Sequence, residues 1–247
     1  MPDRQPRLGP GLYAILGLLI MLGPLATSLY VPGLPSLAET FDVSSAAAQL
    51  TVTACLIGLA VGQVVIGPVS DRFGRRTPIL IGTACYLVAS ILCAIAPTIG
   101  VFLAMRFVQG LAGAAGIVVA RASVRDLAAG TGAAVALSRL LMVTGLAPVI
   151  GPIIGGQLLR VWDWRVLFVA LAAASAVSLL AAMWRYPETL PHHRRVRTTA
   201  REQARTMAGL LRDRDVLASM AVIGLLGGVT FSWMASGPFY FESEYAM

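Results

Sequence analysis

Seven long apolar stretches set the first constraint on how this chain folds. A helix needs about 20 apolar residues to cross the hydrocarbon core of a bilayer, and each stretch comes near or exceeds that length. Only 13% of the 247 residues are charged, roughly half the share typical of a soluble domain. We therefore expect an all-α integral membrane protein. The predicted spans are 11–31, 46–67, 78–96, 99–120, 133–159, 166–183 and 216–240.

The first stretch also has features of a secretory signal, because Arg4 and Arg7 precede it. It continues past the length of a short signal core to Val31, and six more apolar stretches follow. These two features favour an uncleaved first helix.

Arginines predict the orientation of the spans, and they supply all 19 basic residues. They concentrate before the first stretch and after the second, fourth and sixth, whereas the other loops hold only Arg160 and Arg165. Positively charged loops stay in the cytoplasm, so we place the N-terminus and segment 185–215 there and the chain in the plasma (inner) membrane. Because the arginines fill gaps between spans, the net charge of +7 does not indicate nucleic-acid binding.

The polar segment 185–215 divides the chain into three parts. We predict a six-helix transmembrane bundle at 1–184, a cytoplasmic linker at 185–215, and a seventh helix at 216–247 that begins a second bundle. The linker contains His192 and His193, but adjacent histidines project in different directions and no acid or cysteine accompanies them. No metal site is therefore predicted.

A short repeat suggests internal symmetry. The letters Val-Ile-Gly-Pro at 65–68 recur at 149–152, a shift of 149 − 65 = 84 residues. This shift lays the first three spans over the next three. Because each unit has an odd number of crossings, the two units have opposite orientations, as in the inverted repeats of secondary transporters.

The segment between the second and third spans carries the pattern Gly-x3-Asp-Arg-x-Gly-Arg-Arg. We interpret it as a short cytoplasmic loop in which one acid and three arginines form an ion-pair cluster beside two helix ends. The acid is also placed to cap a helix N-terminus. The candidate conformational residues are Gly67, Asp71, Arg72, Gly74, Arg75 and Arg76.

This pattern resembles the signature of the major facilitator superfamily, and other segments agree with it. The segment 106–110 resembles the family's Arg-x-x-Gln-Gly motif, and 145–156 resembles the Gly-Pro-rich motif of its antiporters. Segments 29–35, 120–127 and 162–165 are similar to the Bcr/CflA drug-resistance branch.

The resemblance implies a fold and a function. It implies a six-helix bundle of the major facilitator type that exports small, often hydrophobic drugs by alternating access, with a proton gradient as energy source and no cofactor. It implies a role in transport or proton handling for Arg106, Gln109 and Gly110. It also implies an antiporter motif at Gly145, Pro148, Gly151, Pro152, Gly155 and Gly156.

Arg106 is the one charge well inside a predicted span, whereas Arg139 is close enough to the end of its span to reach the interface. An arginine at mid-helix costs about 2.5–3.5 kcal/mol on insertion, so Arg106 should face a cavity or a partner instead of lipid. No acid lies in the middle of any predicted span. A proton-coupled antiporter usually relies on such a carboxylate, so proton coupling would have to rest on a group outside these residues.

Small and polar residues supply the remaining predictions. Pairs four apart, such as Gly58 with Gly62 and Gly151 with Gly155, predict close helix packing. Pro148 and Pro152 predict local bends. A few polar groups in spans expected to line a cavity are candidates for contact with a drug-like substrate: Ser28, Tyr30, Gln49 and Thr53.

Length completes the expectation. The family has twelve spans in two bundles, so this chain would supply the first bundle and one further helix and would not transport without a C-terminal half. The alternative is a non-transporting remnant or a membrane assembly module. No Ser/His/Asp set, carboxylate pair or Cys/His cluster indicates an enzyme.

Overall fold

The computed structural model describes residues 8–195, 209 and 212–245, and these residues are mainly helical. No strand occurs in these residues, so the all-α prediction is confirmed. Arg4, Arg7 and part of the predicted linker lie outside them. The helices are α1 (Pro10–Ser28), α2 (Leu34–Phe41), α3 (Ser45–Phe73), α4 (Arg76–Ala94), α5 (Ile99–Leu127), α6 (Gly130–Leu159), α7 (Arg165–Arg185) and α8 (Arg214–Tyr245), with 3₁₀ turns at Val31–Gly33 and His192–Arg194.

Within the described residues, six helical segments are long and apolar enough to cross a membrane. The first combines α1, the 3₁₀ turn and α2, and the others are α3 to α7. They correspond to the first six predicted spans. The seventh predicted span, 216–240, lies within α8, and its crossing of a membrane stays a prediction.

The chain separates into two compact units, of which the first ends at Arg195 and the second contains α8. The first unit therefore extends eleven residues beyond the predicted bundle boundary at 184 (195 − 184). Tyr186, Thr189 and Leu190 are buried in it, so the start of the predicted linker packs against the six-helix bundle.

The packing of the first unit has the symmetry of the predicted inverted repeat. One three-helix unit consists of α1, α3 and α4, and the other of α5, α6 and α7, in that order of correspondence. Each contact then has a counterpart: α3 with α5 corresponds to α6 with α1, α4 with α5 to α7 with α1, and α3 with α4 to α6 with α7. The contacts of α1 with α5 and of α4 with α7 are their own counterparts. The two three-helix units thus share the same pattern of contacting helices, although α5 packs more extensively than its counterpart α1.

Glycines bring α3 and α5 into backbone contact. A methyl group on Gly58 would collide with the carbonyl oxygen of Phe107, and one on Gly62 would lie 2.5 Å from that of Leu111. On the opposite helix, Gly110 leaves no room for a side chain beside the carbonyl of Cys55. The small-residue spacing therefore marks a packing seam, as predicted.

One end of the bundle gathers the helix ends that carry most of the charges. Residues near the starts of α1, α4 and α6 and near the ends of α3, α5 and α7 share one apolar cluster, which includes Leu12, Ile66, Ile79, Val124, Ala136 and Ala182. We call this the charged end. At the opposite end, aromatic rings pack with centroids 5.1–6.0 Å apart: Tyr30, Phe41, Phe102, Trp164 and Phe168.

Candidate functional site

Arg75 organises the charged end. Only 6% of its surface is exposed. Its Nε donates to Asp126 Oδ2 at 2.8 Å, and its Nη1 donates to Asp71 Oδ1 at 2.5 Å and to Ser70 Oγ at 2.7 Å. We call these four residues the Arg75 cluster. Burial disfavours the charged guanidinium, but the hydrogen bonds to Asp126 and Asp71 outweigh it and raise the pKa of Arg75. The cluster ties the ends of α3 and α5 to the start of α4.

The predicted loop is mostly helix, which corrects the sequence interpretation. Helix α3 continues to Phe73 with Pro68 inside it, so only Gly74 and Arg75 connect it to α4. A helix that extends beyond the apolar core presents charged residues that resemble a loop in sequence. Of the three arginines, only Arg75 joins the ion-pair cluster. Arg72 lies 5.3 Å over the ring of Phe73, and Arg76 donates to the carbonyl of Met183 at 2.8 Å.

Glu188 caps α4, a role that the sequence analysis assigned to Asp71. The Glu188 carboxylate accepts hydrogen bonds from the backbone N–H of Arg75 at 2.8 Å and of Arg76 at 3.3 Å. A carboxylate at a helix N-terminus satisfies free donors and complements the helix dipole. Gly74 leaves space for the Glu188 carboxylate, because a side chain at this position would collide with it. The φ of Gly74 is also +91°, a conformation that favours glycine. In the sequence, the only indication of this cap is that Glu188 lies in the short Tyr-Pro-Glu-Thr-Leu segment directly after the sixth span.

Hydroxyl groups extend the Arg75 cluster into the segment that follows α7. The Thr189 hydroxyl lies 3.4 Å from Asp126 and 3.3 Å from Ser123 Oγ, and Ser123 Oγ lies 2.5 Å from Tyr186 Oη. Ser123 Oγ also donates to the carbonyl of Val119, and either hydroxyl can be the donor in its pair with Tyr186.

We predict an alkaline loss of stability from Tyr186. Burial raises the pKa of Tyr186 from 10.0 to about 12, although the hydrogen bond with Ser123 lowers it in part. Below pH 10 both folded and unfolded chains hold the proton. Between pH 10 and 12 the unfolded chain binds fewer protons, so the free energy of unfolding falls, by about 2–3 kcal/mol in total. Urea unfolding of the purified protein against pH measures this loss, and Tyr186→Phe should remove it; an equal loss in that variant would contradict the assignment.

Arg106 lies inside the bundle, as predicted, with no exposed surface. Its Nη2 donates to the carbonyl of Ala26 at 2.7 Å and its Nη1 donates to Gln109 Oε1. Gln109 in turn donates to Ser90 Oγ at 2.7 Å. The guanidinium carbon lies 4.2 Å over the ring of Tyr30, within cation–π range. Backbone, amide and aromatic partners therefore replace lipid around this charge.

The break between α1 and α2 explains why Arg106 is held there. Helix α1 ends at Ser28, so the carbonyl of Ala26 lacks a helical donor and belongs to the unsatisfied last turn. Arg106 supplies that donor. No carboxylate of the described residues pairs with Arg106, and a guanidinium does not release its proton in proteins. The guanidinium of Arg106 therefore supplies a fixed positive charge and does not itself release a proton.

Two glycines of the Gly-Pro-rich segment of α6 pack tightly against α1, and two others have free space beside them. Gly151 lies against Ser28, and Gly155 lies against the carbonyl of Leu29, so both bring α6 close to the end of α1. Gly145 and Gly156 have nothing near their missing side chains. Pro148 and Pro152 lie within one continuous helix, Gly130–Leu159.

Neighbouring glycines supply a matched prediction. Gly155→Ala should lower the free energy of unfolding by about 2 kcal/mol or more, because its methyl group overlaps the backbone of Leu29. Gly156→Ala should leave stability unchanged or raise it by up to about 1 kcal/mol, because alanine favours a helix. Thermal unfolding in detergent compares the two variants. Equal effects would contradict the tight contact of α6 with α1.

The predicted substrate-lining residues fall into two groups. Ser28 and Tyr30 are buried and already hydrogen-bonded, Ser28 to the carbonyl of Ala147 at 3.0 Å and Tyr30 to the hydroxyl of Thr51 at 3.0 Å. They stabilise the bundle instead of facing an open space. Thr53 is exposed and Gln49 is half-buried, so these two stay candidates. Within the described residues, no group of three His, Cys, Asp or Glu side chains could hold a metal ion.

Comparisons with known proteins agree with this architecture. The chain is 35% identical to the "Uncharacterized MFS-type transporter YdgK" of Bacillus subtilis and 30% identical to a "Bicyclomycin resistance protein homolog" of Haemophilus influenzae, each over 94% of this chain and 58% of the relative. It is 31% identical to "Multidrug resistance protein MdtL" of Escherichia coli over 89% of this chain and 55% of that protein. The chain thus spans little more than half the length of these relatives.

Solved structures support the fold. The human organic anion transporter MFSD10 superimposes with a TM-score of 0.70 at 19% identity, covering 97% of this chain and 67% of that one. A D-xylose-proton symporter superimposes with a TM-score of 0.64 at 18% identity, covering 86% and 55%. The profile of the Major Facilitator Superfamily matches residues 16–247. The chain therefore belongs to the major facilitator superfamily of multi-pass membrane transporters, and it is not an enzyme.

Proposed function

We propose that the chain supplies the first bundle of a drug exporter of the Bcr/CflA branch. The observation that carries the proposal is the match over 94% of the chain to a bicyclomycin resistance protein homolog. A second bundle completes the carrier. The charged end lies on the cytoplasmic side of the inner membrane, because its arginines follow the positive-inside rule.

The Arg75 cluster supports a role in alternating access, in which one bundle rocks against the other. Arg75 is buried, so the ends of α3 and α5 and the start of α4 move as one body. Asp71 is different, because 48% of its side chain is exposed. It is available to form an ion pair or a hydrogen bond with the second bundle in one conformation and to release it in the other.

Proton coupling needs a group that titrates. Asp71 and Asp126 lie in the last turns of α3 and α5, at the charged end and away from the middle of the bundle. Arg106 lies inside the bundle, but it is a fixed charge. We place the titrating carboxylate on the second bundle. Arg106 then acts as the stationary positive charge that such a carboxylate, or an anionic group of a substrate, would sense.

Drug accumulation in bacteria that lack their own exporters tests the proposal. One strain carries this chain alone, a second carries it joined to the remaining part of the Haemophilus relative, and a third carries that relative intact. We expect lowered bicyclomycin accumulation in the second and third strains, and loss of the effect with a protonophore. Export by the chain alone would contradict the need for a second bundle. Normal accumulation in the second strain, with the protein in the membrane, would favour the non-transporting alternative.

A further inference from the structure

A groove between α1 and α6 opens near the charged end. We call it the α1–α6 groove; its walls include Pro10, Tyr13, Gly17 and Met21 of α1 and Arg139 and Val143 of α6. Its volume is about 630 Å³, within the range of small-molecule sites. Apart from the phenol of Tyr13 and the guanidinium of Arg139, the side chains that line it are apolar.

Arg139 is the one charged residue in this lining. Its side chain is exposed, and no carboxylate of the described residues pairs with it. Its guanidinium carbon lies 6.0 Å over the ring of Tyr13. Arg139 lies nine residues after the start of α6 at Gly130, roughly 14 Å along the helix axis. The charge therefore stands partway along an apolar groove, and its guanidinium makes no hydrogen bond within the part of the chain that the structure describes.

A second crevice has the same sign of charge. Gln63, Arg121 and Arg125 line it together with apolar residues of α5 and α6. Neither arginine pairs with an acid in the described part of the chain. Clefts lined by one sign of charge raise the local concentration of the opposite ion. Both openings should therefore attract anions and repel cations.

We propose that the α1–α6 groove binds small amphipathic monoanions, in which a carboxylate is attached to an apolar body. The guanidinium of Arg139 binds the carboxylate with charge-assisted hydrogen bonds, and the apolar walls cover the body. This inference rests on the proposed export function and adds a class of ligand that the first bundle would bind. No carboxylate of the described residues lines the groove, so we expect lipophilic cations to bind weakly.

Binding of matched probes to the purified chain tests the proposal. The chain is placed in nanodiscs of zwitterionic lipid and titrated with dansyl-labelled undecanoic acid, its methyl ester and the matching alkylamine. We expect the acid to bind about tenfold more tightly than the ester, as a charge-assisted hydrogen bond implies. The amine should bind more weakly than either. An acid that binds no more tightly than the ester would overturn the proposal.

Substitution at Arg139 identifies the group responsible. Arg139→Gln should weaken binding of the acid about tenfold and change binding of the ester less than twofold, whereas Arg139→Lys, which keeps the charge, should stay within about threefold. Arg160 caps the opposite end of the same helix, so Arg160→Gln is the matched control and should change neither. Unchanged acid binding in Arg139→Gln, with wild-type elution from a sizing column, contradicts the assignment.

Lipid is the other conceivable occupant, and its outcome is distinct. If a few per cent of phosphatidylglycerol abolishes acid binding to the wild type but not the residual binding to Arg139→Gln, the groove is a phospholipid site and the proposal is overturned. The binding assay needs no transport. Arg139-dependent binding without export would remove the proposed function alone, and export without Arg139-dependent binding would remove this inference alone.

Discussion

Arg106→Ala is expected to reduce drug export by the completed carrier to background while the protein still inserts into the membrane. Arg106 joins the end of α1 to α5 through the carbonyl of Ala26 and holds a fixed charge beside Tyr30. Alanine removes both. Insertion should not suffer, because an apolar residue costs less in the bilayer than an arginine does.

The same substitution should lower the free energy of unfolding by about 3 kcal/mol or more. It leaves the Ala26 carbonyl without a donor in a buried site, which costs about 1–3 kcal/mol, and it creates a cavity where a large side chain had packed. Unfolding in detergent measures the loss. The matched control is Arg160→Ala, which removes an exposed arginine at the C-terminal cap of α6 and should change neither stability nor export.

Arg106→Lys separates the charge from the hydrogen bonds. A lysine keeps the positive charge but lacks the planar fork that reaches Ala26 and Gln109 together. We expect it to retain more stability than alanine and to export at a reduced rate. Export at the wild-type rate by Arg106→Ala would remove Arg106 from the transport site.

Arg75→Ala is expected to lower the free energy of unfolding strongly, whereas Asp71→Asn is expected to abolish export with little loss of stability. Arg75→Ala leaves Asp126, with 16% of its side chain exposed, without its partner. Breaking a buried pair in this way costs about 3–5 kcal/mol. Asp71 is about half exposed, so Asp71→Asn should cost less than about 1 kcal/mol. We nevertheless expect it to abolish export, because the exposed carboxylate is the group available to the second bundle.

A double-mutant cycle of Arg75→Ala with Asp126→Ala, measured by unfolding in detergent, tests the buried pair. The coupling energy should exceed that of Arg75 with Asp71. The control is Arg72→Ala, which removes an exposed arginine from α3, next to Asp71. It should change the free energy of unfolding by less than about 0.5 kcal/mol. Near-normal stability of Arg75→Ala would contradict the cluster, and normal export by Asp71→Asn would remove Asp71 from the conformational residues.

The strongest sequence predictions were those that rest on the solvent properties of the bilayer. Apolar length located the six spans, because a charge in hydrocarbon is costly wherever it occurs. The same cost predicted that Arg106 would be buried against partners, and it is. The close contacts at Gly58, Gly62, Gly151 and Gly155 also followed from local spacing, since residues four apart share a helix face.

The missed features depend on residues far apart in the chain. The predicted span 11–31 has a break after Ser28, and Arg106 stabilises it from 80 residues away. Glu188 reaches the start of α4 across 113 residues. Asp126 was part of a segment similar to the Bcr/CflA branch, but its pairing with Arg75 depends on how α3, α4 and α5 pack. Such pairings have no local periodicity, so the sequence alone could not specify them.

Drug flux across a reconstituted membrane tests the central claim most directly. The chain, joined to the remaining part of the Haemophilus relative, is placed in proteoliposomes with an imposed pH gradient, and bicyclomycin uptake is followed. We predict gradient-dependent uptake by the joined protein, no uptake by this chain alone, and no uptake by the joined protein with Arg106→Ala. Uptake by the chain alone, or wild-type uptake with Arg106→Ala, would contradict the account of this bundle as the Arg106-dependent half of an exporter.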